Sequence, residues 1–207
     1  VERFVLAALI GYVLGSIPTA YLVVRWKSRL DIRTAGSGNV GTYNAFDVTK
    51  SKTVAGLVLL VDFAKGLAAV LLTRRLFGGD PDPGWLAALA AIAGHNYPVW
   101  LHGKGGRGLA TAAGGAFLTF WGLIPAWVAF WAVAFVLVKE INAANVVACA
   151  LSAAIVVVSP TLLPGAGGLT VIPPGGYAVL MMGLILLRLI EPVRSYLDDR
   201  KRRRSGQ

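Results

Sequence analysis

Thr53-Val-Ala-Gly-Leu-Val-Leu-Leu-Val-Asp62-Phe-Ala-Lys65-Gly-Leu-Ala-Ala-Val-Leu-Leu-Thr-Arg-Arg-Leu-Phe77 is the stretch that decides the fold class. Its apolar run is continuous, not alternating, and reaches the ~20 residues that cross a bilayer as a helix. Inside lipid every backbone N–H and C=O must be paired, which leaves helices or closed barrels. A run without two-residue periodicity selects the helix.

Outward from this segment, further apolar runs occupy about 4–24, 85–101, 108–120, 121–138, 145–163 and 175–191. Across the chain 56% of residues are hydrophobic and 14% charged, against roughly 25% charged in an average soluble domain. The sequence therefore predicts an all-α integral membrane protein: a seven-span helical bundle forming one polytopic domain over 1–207, with a basic tail at 194–207. The run at 108–120 is short and glycine-rich, and without it the count is six. Glu2 and Arg3 precede the first run and no small-x-small cleavage site follows, so it is read as a retained span.

Lys and Arg set the orientation. With the N-terminus outside, the inner segments 25–52, 102–107, 139–144 and the tail with Arg188 hold sixteen basic residues. The outer side holds Arg3, Arg74 and Arg75, and the loop Ser159 to Pro174 has no charge. That asymmetry predicts an outside N-terminus and a cytoplasmic C-terminus. It also accounts for the net charge of +10 without nucleic acid. The run Arg200 to Arg204 beside the last span reads as a topology signal that touches anionic lipid. Cys149 is the single cysteine and forms no intrachain disulfide.

The inner loops carry the chemistry. The first contains Gly36-Ser-Gly-Asn-Val-Gly-Thr-Tyr-Asn44. Gly36, Gly38 and Gly41 permit conformations in which successive N–H groups point at one anion. Ser37, Asn39, Thr42 and Asn44 add side-chain donors. The alternative is a tight polar turn between spans. No Gly-Lys-Ser or Gly-Lys-Thr follows, so this is not a P-loop. The second loop ends Lys104-Gly-Gly-Arg107-Gly108-Leu-Ala-Thr111. Gly103, Gly105 and Gly108 match G-x-G-x-x-G in form, but a span precedes them and no βαβ unit surrounds them. Lys104 and Arg107, set among Gly105, Gly106 and Gly108 at a helix start, make an anion site. A plain topology loop needs the charges and not the glycines.

Asp62 and Lys65 share a helix face, and each would cost about 2.5–3.5 kcal/mol at the centre of a span. They are expected to pair or to face the bundle interior. His95, nine residues before Lys104, is a candidate base or substrate-orienting residue; a hydrogen-bonded structural histidine is the alternative. His102 carries no assignment. Asn142 and Asn145, in the third inner loop, cap a helix or line the site. No metal-ligand spacing exists, and no cofactor is expected.

Taken together these segments resemble the bacterial acyl-phosphate:glycerol-3-phosphate acyltransferases of the PlsY type. Gly15-Ser-Ile-Pro18, Gly36-Ser-Gly-Asn-Val-Gly-Thr-Tyr-Asn44, Asp62-Phe-Ala-Lys-Gly66, Gly94-His-Asn-Tyr-Pro98 and Lys104-Gly-Gly-Arg-Gly-Leu-Ala-Thr111 match that family's motifs in order and spacing. The resemblance implies transfer of a fatty acyl group from acyl phosphate to the 1-hydroxyl of glycerol 3-phosphate. Lysophosphatidic acid and phosphate would be the products, and the site would face the cytoplasm at a bacterial inner membrane. It implies catalytic roles for Ser37, His95 and Lys104. Substrate and phosphate binding would fall to Gly36, Gly38, Asn39, Gly41, Asn44, Lys65, Gly105, Gly106, Arg107, Gly108, Thr111 and Asn142. Three departures stand out. Asp47 lies where the family has an Arg, Asn142-Ala-Ala-Asn145 replaces a Ser-x-x-Ser, and Glu191-Pro-Val-Arg-Ser-Tyr replaces a tail with His, Asn, Arg and Glu. They fit either a divergent branch with relocated partners or a changed substrate. A permease for a small phosphorylated anion is the competing reading; an inverted repeat would favour it, and none is visible. A lipid-phosphate-binding scaffold is the third. Oligomeric state is not legible.

Overall fold

The computed structural model describes residues 1–158 and 174–205, and every regular element among them is helical. The helices are α1 (Glu2–Gly15), α2 (Thr19–Ser28), α3 (Thr42–Thr49), α4 (Lys52–Leu76), α5 (Pro81–Asn96), α6 (Leu109–Thr119), α7 (Leu123–Val138), α8 (Ile141–Val158), α9 (Pro174–Leu187) and α10 (Ile190–Ser205). Among the described residues, three segments are long and apolar enough to cross a membrane: Glu2–Ser28, which joins α1 to α2, α4, and α8. The pair α9 and α10, bent by 46° at their junction, makes a fourth if counted as one span. The expected loop from Ser159 to Pro174 and the end of the run 145–163 lie outside the described residues, apart from Pro174 at the start of α9.

Local chemistry sets the boundaries. Pro18 has no N–H to continue the first helix, so the run expected at 4–24 breaks at Ser16 to Pro18 and resumes as α2. The run expected at 85–101 begins earlier, at Pro81, because the Asp80 side chain caps it by accepting from the Asp82 N–H at 3.1 Å. It stops as a regular helix at Asn96, before Pro98, and one 3-10 turn follows at Val99–Leu101. Helix α6, with 11 residues, rises only ~16 Å, about half of the ~30 Å hydrocarbon layer.

Helix α4 is turned inside out relative to a soluble helix. Its buried face carries Asp62, Lys65, Gly66 and Thr73, while Leu57, Leu59, Leu60, Leu71 and Leu72 are exposed. Lipid on the outside offers no hydrophobic reason to bury leucine, so helix association depends on close backbone approach. Gly66 of α4 packs on the Thr111 carbonyl of α6, and Gly114 of α6 packs on the Phe63 carbonyl of α4. Gly11 and Gly15 of α1 meet the backbone of Ala87 and Ala91 in α5 in the same way. A second layer is bulkier: Trp85 stacks on Phe120 at 5.5 Å and meets Tyr177 at 5.1 Å, above Met181 and Ile185. Gly114→Val should lower the thermal midpoint in detergent, because a Cβ would strike the Phe63 carbonyl and overpacking costs about 1–3 kcal/mol. An unchanged midpoint would show that α4 and α6 separate freely.

Candidate functional site

The first glycine loop is built around one buried side chain. Asn44, on α3 and 1% exposed, donates through Nδ2 to the carbonyls of Ile32 (3.2 Å), Ala35 (3.0 Å) and Asn39 (3.0 Å). Its Oδ1 accepts from the Ser37 N–H at 3.0 Å. The chain can wrap an amide this tightly because Gly36 and Gly38 take φ values of 58° and 70°. Upstream, Arg33 chelates Asp31 through Nε and Nη2 at 2.7–3.2 Å and lies over the Tyr21 ring. Those hydrogen bonds hold the Asp31 carboxyl well below its ordinary range, at about 2.

The second loop is fixed on both edges. Gly105 N–H donates to the Asn96 carbonyl (3.2 Å) and Gly106 N–H to the His95 carbonyl (3.0 Å). Their own carbonyls accept from Arg188, Gly105 from Nη2 at 2.9 Å and Gly106 from Nε at 3.1 Å. Gly106 also touches the Val40 carbonyl and the His95 ring, so the two loops meet at a residue with no side chain. Gly108, at φ 81°, then turns the chain into α6.

Beneath the loops lies the charged pair. Lys65 Nζ is 2.9 Å from Asp62 Oδ1 and donates to the Ile17 carbonyl at 3.0 Å, at the break in the first span. His95 is buried with Nδ1 3.7 Å from Asp62 Oδ1 and Nε2 against Gly106. The expected pairing of Asp62 with Lys65 is therefore present, facing the bundle interior.

These parts border a cavity of about 430 Å³, lined by Asn39, Thr42, Asp62, His95, Arg107, Gly108 and Asn145, with Trp127 and Trp131 on its apolar side. Leu109, Trp127 and Val128 are shared with a second chamber of about 130 Å³ whose walls, Ala112, Ala116, Met182 and Ile185 among them, are apolar. Burial lowers the pKa of Arg107; Glu140 works against that shift and Arg188 adds to it. A guanidinium keeps its proton at neutral pH in such a setting.

Of the expected site residues, Asn39, His95, Arg107 and Gly108 line the cavity. Ser37, Gly36 and Lys104 are exposed near the loops. Gly38, Gly41, Gly105, Gly106 and Asn44 shape the backbone, and the amide of Asn44 is spent within its own loop. Lys65 sits under the cavity floor, and Thr111 is buried where α6 meets α4. Asn142 donates its amide to Glu140, which caps α8, and Asn145 is the one of the pair that reaches the cavity. Asp47 pairs with Lys50 at 2.6 Å on the exposed side of α3. Arg188, counted above only as a tail charge, is the residue that sequence reasoning missed. Its signal was its place directly after the apolar run Leu184 to Leu187, where a charge must find a partner.

Residues 5–198 match the model of the glycerol-3-phosphate acyltransferase family. A glycerol-3-phosphate acyltransferase of Erythrobacter litoralis is 40% identical over 161 residues, which cover 77% of this chain and 80% of that protein. The crystal structure of PlsY, an integral membrane glycerol 3-phosphate acyltransferase, in its glycerol 3-phosphate form superposes with a TM-score of 0.78 at 28% identity. Its lysophosphatidic acid form gives 0.77 at 27%, and both superpositions cover 95% of this chain and 93% of the other.

Proposed function

This chain belongs to the glycerol-3-phosphate acyltransferase family, and we propose that it transfers a fatty acyl group from acyl phosphate to the 1-hydroxyl of glycerol 3-phosphate. The observation that carries the reading is the junction of two unlike spaces. A cavity whose lining includes the polar groups of Asn39, Asp62, His95 and Arg107 and the start of α6 opens beside a wholly apolar chamber, and they share Leu109 and Trp127. The first suits phosphate, held by helix N-terminal N–H groups and a guanidinium. The second suits the acyl chain.

The chemistry asks little of the protein. An acyl phosphate is already activated, so the glycerol 1-hydroxyl oxygen attacks the acyl carbonyl carbon directly. As the tetrahedral centre collapses, the carbon–oxygen bond to phosphate breaks and the hydroxyl proton passes to a phosphate oxygen. Nδ1 of His95 faces Asp62 and Nε2 packs on Gly106, which favours a phosphate oxygen over His95 as the proton acceptor. What remains for the protein is positioning and stabilisation of developing negative charge. Lys104, at the exposed rim, steers and holds the acceptor phosphate.

The same reading places one polytopic domain in the bacterial cytoplasmic membrane. Seven helical segments would cross or enter it: α1 with α2, then α4, α5, α6, α7, α8 and α9. The basic loops and α10 would lie on the cytoplasmic side, which the distribution of Lys and Arg supports.

Purified protein in detergent, given palmitoyl phosphate and labelled glycerol 3-phosphate, should form lysophosphatidic acid, and palmitoyl-CoA should not replace the acyl phosphate. Product from palmitoyl-CoA alone would overturn the donor. Lys104→Ala should raise the KM for glycerol 3-phosphate by roughly tenfold or more, the worth of a charge-assisted hydrogen bond. An unchanged KM would remove Lys104 from the site.

A further inference from the structure

Arg188 stands at the junction of α9 and α10, yet its guanidinium reaches back to a loop more than eighty residues earlier. Both of its contacts are to backbone carbonyls, those of Gly105 and Gly106, and its face lies over the Tyr97 ring at 5.3 Å. A second link joins the same pieces: Asn96 Nδ2 donates to the Leu184 carbonyl at 2.9 Å. Helix α9 thus grips the end of α5 and the loop after it.

The geometry of the peptide unit gives this grip a consequence. In a trans peptide the C=O and the following N–H point in opposite directions. With the Gly105 carbonyl turned to Arg188, the Gly106 N–H must face the other way, and it is found on the His95 carbonyl. With the Gly106 carbonyl also turned to Arg188, the Arg107 N–H is directed away from α9. Arg107 is followed by Gly108, Leu109 and Ala110, which line the 430 Å³ cavity and open α6, whose first N–H groups have no partner within the helix. A Gly–Gly pair is the backbone most free to flip its peptides. A bidentate clamp on both carbonyls selects one of the flipped states.

We propose that Arg188 is a positioning residue, which holds the Gly105–Gly106 peptides in the orientation that presents the Arg107 N–H and the N-terminus of α6 to a substrate phosphate. This rests on the acyl-transfer reading above. Arg188 Nε and Nη2 each give a hydrogen bond to one of the two carbonyls. The side chain acts through the loop, so its removal weakens phosphate binding without removing a reacting group.

The test compares wild-type enzyme with Arg188→Gln, Arg188→Lys and Tyr97→Leu in steady-state assays with palmitoyl phosphate and glycerol 3-phosphate. Arg188→Gln should raise the KM of at least one of the two phosphates by roughly tenfold or more, with kcat reduced less than about threefold, as loss of oriented donors predicts. Arg188→Lys keeps the charge but cannot span two carbonyls from a planar fork, so its KM should stay near that of Arg188→Gln. If Arg188→Lys restores the wild-type KM, charge alone matters and the clamp is wrong. If both variants keep wild-type KM values and lose only thermal stability, Arg188 is merely structural and the proposal falls. Should Arg188→Gln fail to fold, Tyr97→Leu keeps the guanidinium but frees its plane and should raise the same KM by about threefold; no rise would overturn the proposal. Wild-type protein inactive with either donor would instead break the acyl-transfer reading. Calorimetric binding of inorganic phosphate to wild type and Arg188→Lys then decides the clamp: weaker binding in the variant supports it, equal binding overturns it.

Discussion

Asn44→Asp should reduce acyl transfer by two orders of magnitude or more while the polypeptide still inserts in the membrane. The side chain of Asn44 is the hub of the first glycine loop, with Nδ2 shared among three carbonyl oxygens and Oδ1 taking the Ser37 N–H. A carboxylate is nearly the same size but has no N–H to give. It would face the carbonyls of Ile32, Ala35 and Asn39 with its own lone pairs, and a buried acceptor left without a partner costs about 1–3 kcal/mol. The Ala35 and Asn39 carbonyls keep the Gly38 and Gly41 N–H groups, but lone-pair repulsion at all three oxygens and the loss of the Asn44 bond to Ile32 together exceed what a short loop can absorb. Residues 35–41 would open, taking Asn39 away from the cavity and the Val40 carbonyl away from Gly106. Asn44→Ala should be nearly as damaging, since it removes all four hydrogen bonds of the hub, that from the Ser37 N–H included. Product formation in membranes, with limited proteolysis of the segment 31–50 as the structural readout, checks both. Retention of more than a tenth of the wild-type rate by Asn44→Asp would show that the loop does not depend on this amide.

Asn44 also shows where a sequence stops being informative. Spacing places an amide beside three glycines, and an amide there can point outward at a ligand or inward at its own backbone. Nothing in residue order separates the two, because the choice depends on which carbonyls the folded loop leaves unpaired. The same limit explains Arg188. Counted with the tail, it is a topology charge; in space, the Gly105 and Gly106 carbonyls sit within its reach, and only tertiary packing of α9 on α5 brings them there. Other features were legible because they are local. The continuous apolar runs, the glycine motifs and the Asp62–Lys65 pair each follow from covalent spacing and the cost of burying a polar group. The break at Pro98 and the cap at Asp80 were local too, but hydropathy alone smooths over both and makes the run 85–101 appear uninterrupted. Asn142 and Asn145 lie one helical turn apart, and the Glu140 carboxylate, by engaging the first, leaves the second to the cavity.

Lys65→Met should cost more stability than any other single change in α4. Lys65 and Asp62 are 5% and 1% exposed, and both charges are largely removed from bulk solvent. In wild-type protein each is compensated: Asp62 by Lys65 at 2.9 Å, and Lys65 by Asp62 together with the Ile17 carbonyl. Removing the lysine leaves a lone carboxylate in a membrane helix, and breaking a buried pair from one side costs about 3–5 kcal/mol. A whole domain has only about 5–15 kcal/mol to lose, so most of the folded protein should disappear at moderate temperature. Replacing both partners with neutral residues removes the cause. Asp62→Asn/Lys65→Met should therefore recover at least half of the lost thermal stability. The double variant should nevertheless stay below a tenth of wild-type activity. Asp62 lines the cavity and faces His95 Nδ1, and Lys65 ties α4 to the break in the first span; the neutral pair restores neither role. Thermal unfolding in detergent and the acyl-transfer rate, measured on all three proteins, separate the two effects. A Lys65→Met protein as stable as wild type would mean that water reaches Asp62. A fully active double variant would reduce the pair to a structural brace.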